Sequence, residues 1–250
     1  MNTIKKVVSG GFVFAILAVS IPAHAAMNDT MSSGASMMSS EIVTVPKALL
    51  ENIIGVMRSL VAQVQEATRK TDTKAADLRV LLNALERQHV DLASAAVRAG
   101  FDGHASFAST AGELDKNSVA LADAVASIYG PSAKDPFLAI WRSHIGFFVD
   151  YTVAAKAGDK IKMDTAVKNL TEGYVPAIAD FFSKANPNLP RDVVAQLVTQ
   201  HVLHLKAAVD AYGAGNFAQS YAKQTEAYNQ IGSIADALAG GIVKQFPEKF

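Results

Sequence analysis

From Pro46 onward, apolar residues recur at steps of three and four, the period of an amphipathic helix, and the strict alternation of a half-buried strand is missing. A first stripe, Leu49, Ile53, Val56, Leu60 and Val64, predicts a helix over about 47–69. A second runs Leu78, Leu82, Leu85, His89, Leu92, Ala96, and turns back as Phe107, Ala111, Leu114, Ser118, Leu121, Val125, Ile128. A third, Phe137, Trp141, His144, Phe148, Tyr151, starts after Asp135-Pro136, a capping acid followed by a proline suited to a first helical turn. Its return, Met163, Val167, Leu170, Tyr174, Ile178, Phe181, contains Gly173 and Pro176, which predict a kink or a break. After the turn-rich Asn186-Pro187-Asn188-Leu189-Pro190, a fourth stripe, Val194, Leu197, His201, Leu205, Ala208, Tyr212, returns through Phe217, Tyr221, Gln224, Tyr228, Ile231, Ala235, Leu238 and Ile242. Gly240-Gly241 are expected to loosen the end of that last helix.

The expected fold class is all-α: three tandem helical hairpins at about 75–130, 133–185 and 190–246, preceded by a helix acting as a cap or extra packing partner. The copies are marked by His89, His144 and His201, each fourteen residues before a turn glycine, Gly103, Gly158 and Gly215. The periodicity leaves open whether the hairpins close into a bundle or run on as a short stack. On closure depends whether the three imidazoles meet in one interior.

Upstream, Lys5 and Lys6 precede an apolar run from Phe12 to Ile21, and Ala23 and Ala25 suit cleavage before Ala26. Residues 1–25 therefore read as a signal peptide and the protein as exported, periplasmic or secreted. The run is shorter than the ~20 residues of a spanning helix, and no later segment avoids charge for that long, so no membrane span is expected in the mature chain. Residues 26–45, small and polar without a hydrophobic period, read as a flexible Met/Ser-rich lead-in.

The chain carries 23 basic and 23 acidic side chains and no cysteine. An even balance argues against nucleic acid or an anionic membrane as partner. The lack of thiols excludes a disulfide framework, so stability rests on packing.

A histidine on an apolar stripe is commonly a packed residue satisfied by a neighbour, and duplication of one structural histidine would also give three. The same three side chains, if they converge, are imidazole ligands. Glu86, three residues before His89, and His204, three after His201, share helix faces with them and complete a candidate metal set. A di-iron carboxylate centre does not fit, because Trp141 and Val198 stand where Glu86 would repeat. Arg142 and Asp150 flank His144 as possible partners, and His104 falls in an exposed turn. Met27, Met31, Met37 and Met38 in the lead-in would suit Cu(I), because a thioether ligates soft ions without losing a proton.

No nucleophile elbow, phosphate-binding loop, zincin motif or dinucleotide fingerprint is present, and an enzyme is not expected. The stretch Trp141-Arg142-Ser143-His144-Ile145-Gly146-Phe147-Phe148-Val149-Asp150-Tyr151 and the ending Lys244-Gln245-Phe246-Pro247-Glu248-Lys249-Phe250 resemble a family of uncharacterised exported bacterial helical-repeat proteins, over residues 78–250. That resemblance implies export and helical repeats and carries no activity or ligand. The favoured expectation is a non-catalytic exported helical protein binding a metal ion, copper first. The alternative is a structural module of the cell envelope that binds a protein or small ligand, its histidines serving as packing. A haem-carrying bundle is a third option.

Overall fold

The structure, a computed structural model, describes residues 46–250. The expected signal peptide at residues 1–25 and the expected lead-in with its four methionines lie outside the described residues. Contacts divide the chain at Asn52 and Ile53 into two compact units, of which the first is described only over residues 46–52. Among the described residues there are helices and no strand.

Eight α-helices follow in order: α1 (Lys47–Thr71), α2 (Lys74–Asp102), α3 (Phe107–Tyr129), α4 (Lys134–Ala157), α5 (Lys160–Lys168), α6 (Val175–Ala185), α7 (Arg191–Gly213) and α8 (Phe217–Gln245). Local signals set most ends. Thr73, Asp159 and Asn216 each accept a hydrogen bond from the backbone N–H three residues on, starting α2, α5 and α8. Gly103 and Gly158 end α2 and α4 at φ +68°, a left-handed conformation that glycine adopts without Cβ strain. Gly215 turns the chain between α7 and α8 at φ +74°.

Two local expectations are corrected and a third is met. Pro131–Ala133 form a short 3-10 turn and α4 already begins at Lys134, so Asp135 lies inside the first turn instead of capping it. The return from α4 is split as Gly173 and Pro176 require: α5 passes through a π-helical segment, Asn169–Tyr174, into α6. The helix α8 runs unbroken through Gly240 and Gly241 to Gln245. The second of those glycines lets Leu189 approach, since a Cβ at Gly241 would stand 2.6 Å from Leu189 Cδ2.

Residues 53–250 form a bundle that closes on itself. The helix α2 packs on α3 and α8, α8 on α7, and α7 on α6; α6 joins α4 through the π-helical segment, and α4 returns to α3. The three histidine-bearing helices α2, α4 and α7 also touch one another. Closure settles what periodicity left open, and it is a bundle. Its core holds Leu82, Val90, Leu121, Phe137, Leu170, Ile178, Val202, Ile231 and Leu238. The stripe of α1 is not covered: Val56 is 69% exposed, Leu60 59% and Val64 58%, so this face does not serve as the packing partner the pattern suggested.

Candidate functional site

The sides of α2, α4 and α7 that face inward carry the three histidines, and all three are buried. His144 Nε2 lies 3.3 Å from His89 Nε2. Their ring centroids are 5.2 Å apart, so the rings approach nearly head to head. His201 joins them on the wall of a cavity of about 120 Å³ that Glu86, Trp141 and Tyr174 also line. Closure of the bundle therefore brings together Glu86, His89, His144 and His201.

Aromatic rings fix the pair in place. Trp141 meets His144 edge-on at 4.7 Å and His89 at 4.9 Å, while Tyr174 stacks on the other face of His144 at 4.5 Å. Tyr174 reaches this position from the π-helical segment, so the irregularity forced by Gly173 and Pro176 is what supplies the stacking ring.

Burial dominates the electrostatics. It pushes the His144 imidazolium down to about 3 and His201 to about 4, and holds His89 well below its ordinary value, each lowered further by a neighbouring histidine. All three rings are neutral at pH 7. Burial also pushes the Glu86 carboxyl up to about 8, so it too is neutral at pH 7, and it raises the Tyr174 hydroxyl.

The chamber is rich in polar atoms without partners. Glu86 Oε2, Trp141 Nε1, Nδ1 of His89 and His144, and both ring nitrogens of His201 are buried without a hydrogen bond. The Trp141 backbone near His144 works against the lowering by burial. Gln230 donates Nε2 to the Leu197 carbonyl, and its Oε1, also unpaired, is left beside His201. Buried polar atoms are nearly always paired, so such a concentration sets this chamber apart from the apolar core around it.

Other candidates fall away from this centre. His204 Nδ1 lies 3.0 Å from Glu226 Oε2 in a half-buried pair on the outer side of α7. Arg142 does not serve His144; it binds Asp115 with two hydrogen bonds, and Asp150 is exposed. His104 is exposed and bonds Ser106. Among the described residues, no cluster of three or more histidine, aspartate or glutamate side chains is arranged to hold a metal ion. What the core offers is a facing pair of imidazoles with two further polar groups near it.

His89 and His144 also line a second, larger cavity of about 470 Å³ between α2, α3, α4 and α7. The sequence pattern did not reveal it, since its walls include ordinary stripe residues such as Ala96, Phe148 and Leu205. Nor did it reveal Gln230, which reaches His201 from a neighbouring helix. Only the bundle geometry brings them together.

Compared with known proteins, the chain matches no family model, no curated sequence and no solved structure. The fold and site define the class: an all-α helical bundle with a buried imidazole pair and, among the described residues, no helix long and apolar enough to cross a membrane.

Proposed function

We propose that the protein is a non-catalytic exported metal-binding protein, and that His89 and His144 are the ligands of one soft metal ion, copper first. The observation that carries this reading is the 3.3 Å separation of the two Nε2 atoms in a chamber of unpartnered polar groups. An ion about 2.0–2.1 Å from each nitrogen would bridge that gap at an N–metal–N angle of roughly 105–110°, near tetrahedral. Each ring must pivot, because the lone pairs now point at one another more than at a shared off-axis point. His201 and Glu86 line the same cavity, and water or a movement of either side chain would have to complete the coordination. Rings held neutral by burial are ready to ligate without losing a proton first. Copper is favoured over zinc because Met27, Met31, Met37 and Met38 would serve a soft ion as a capture arm.

The reading is tested by equilibrium dialysis of the purified protein against Cu(I). One ion per chain is expected, with most of it lost in His89→Gln and His144→Gln and retained in His204→Ala. Removing residues 27–40 is expected to slow uptake while leaving core occupancy intact. Equal retention by wild type and both core variants refutes the core site.

A second reading is favoured by a specific observation, the lack of a three-ligand cluster among the described residues. At 3.3 Å the pair also fits a long N–H···N hydrogen bond between two neutral imidazoles. The protein is then a structural or interaction module of the envelope, with histidines that hold α2 to α4. Under it, His89→Gln lowers stability and leaves copper retention at background.

A further inference from the structure

The larger cavity has a composition that the metal reading does not use. Its walls are apolar, with Val97, Leu114, Phe148, Leu205 and Val209 from four helices. Two wall residues remain strongly exposed, Val153 at 64% and Val149 at 41%, so the apolar lining continues out to solvent along α4. Its charged lining is all of one sign: Arg98 from α2 and Lys156 from α4 stand on it, and no aspartate or glutamate does. Among the described residues, neither cation is in a salt bridge with a carboxylate within 4.0 Å; Arg98 instead bonds Gln224 and lies over the Tyr221 ring. The inner wall carries His89 and His144, away from the two cations.

We infer that this cavity binds a single-chain aliphatic carboxylate, its hydrocarbon chain along the apolar wall and its carboxylate at Lys156 and Arg98. A volume of about 470 Å³ falls within the range of small-molecule sites and suits a chain of roughly ten to twelve carbons. An alkyl chain covers the apolar surface that Val149 and Val153 leave open, and the head group supplies the counter-charge both cations lack. The opposite polarity, a cationic amphiphile, would meet two like charges and no acid. The inference stands whether or not the imidazole pair holds a metal.

The test is isothermal titration of the full chain, dialysed free of metal, with dodecanoate and with dodecanol. Saturable binding of one dodecanoate per chain is expected, with dodecanol at least tenfold weaker. Lys156→Glu, at an exposed position that leaves the core untouched, is expected to weaken dodecanoate at least tenfold and dodecanol little. Ala208→Phe places a ring in the cavity and is expected to abolish both, in protein whose helical signal matches wild type. The inference is overturned if dodecanoate gives no saturable binding. It is equally overturned if both ligands bind alike and are indifferent to Lys156→Glu, or if several molecules bind per chain regardless of Ala208→Phe.

Discussion

Two adjacent glycines in α8 are expected to respond to the same substitution with opposite signs. Alanine in place of glycine in a helix interior is favoured by roughly 0.5–1 kcal/mol, because glycine loses more backbone freedom on folding. At Gly240 a Cβ meets nothing within 4 Å, so Gly240→Ala should deliver that gain whole. At Gly241 the new carbon would stand 2.6 Å from Leu189 Cδ2 and 2.9 Å from its Cγ, with Asn186 Nδ2 at 3.5 Å. Leu189 is only 5% exposed and its neighbour Asn186 is fully buried, so the side chain has little room to retreat. Overpacking of this kind costs about 1–3 kcal/mol, which outweighs the helical gain and leaves Gly241→Ala destabilised by about 1–2 kcal/mol. For a bundle of this size, Tm should rise by about 1–4 °C in the first variant and fall by a similar or larger amount in the second. Urea unfolding of both, with Leu189→Ala in a double-mutant cycle, is the assay. A coupling of about 1 kcal/mol between positions 189 and 241 is expected. Two variants that shift stability in the same direction, or a cycle without coupling, would refute the packing of α8 against the linker between α6 and α7.

Other expectations follow from the buried groups. In metal-free protein, Glu86 keeps its proton up to about pH 8 when folded but releases it near ~4.3 when unfolded, so folding loses stability as pH rises through that window. The three histidines act in the opposite sense: their folded values are depressed, so stability drops as pH falls below the unfolded value of ~6.5. Stability should therefore peak near pH ~6.8 and decline by roughly 0.5–1 kcal/mol toward pH 8, because the loss from Glu86, at most ~1.4 kcal/mol per pH unit, is partly offset by what the histidines regain. Urea midpoints across pH 5–8.5 test this, and Glu86→Gln should remove the alkaline decline; its persistence assigns the slope to another group. His204→Ala should leave copper retention unchanged, since its partner is Glu226 on the outside of the bundle. Trp141 is the sole tryptophan and is buried, so its emission should be blue-shifted and should move to the red when the bundle unfolds.

Much of this was legible in the stripes. The inward series Phe137, Trp141, His144, Phe148, Tyr151 is buried at every position, because a face that repeats at 3.6 residues has one solution in a bundle. Gly173 and Pro176 announced the break in the return helix. Periodicity says which side of a helix is apolar, but not what lies opposite it. The stripe of α1 reads like the others and is exposed, and Phe217 and Tyr221, on the stripe of α8, are more than half exposed. Spacing likewise put His204 beside His201 as a ligand, although three residues along a helix move a side chain sufficiently around the axis for it to reach Glu226 instead. The 3.3 Å approach of His89 to His144, the stacking of Tyr174 and the unpaired Oε1 of Gln230 arise between helices distant in sequence, where no local pattern reaches.

The central claim is that the facing imidazoles take a soft metal ion, and the ring of Trp141, 4.7 Å from His144 and 4.9 Å from His89, is placed to report it. Anaerobic titration of the full chain with Cu(I), followed by tryptophan emission, should show quenching that saturates at one ion per chain and vanishes in the His89→Gln, His144→Gln double variant. Emission that stays constant in wild type, or that is quenched to the same extent in the double variant, would contradict it.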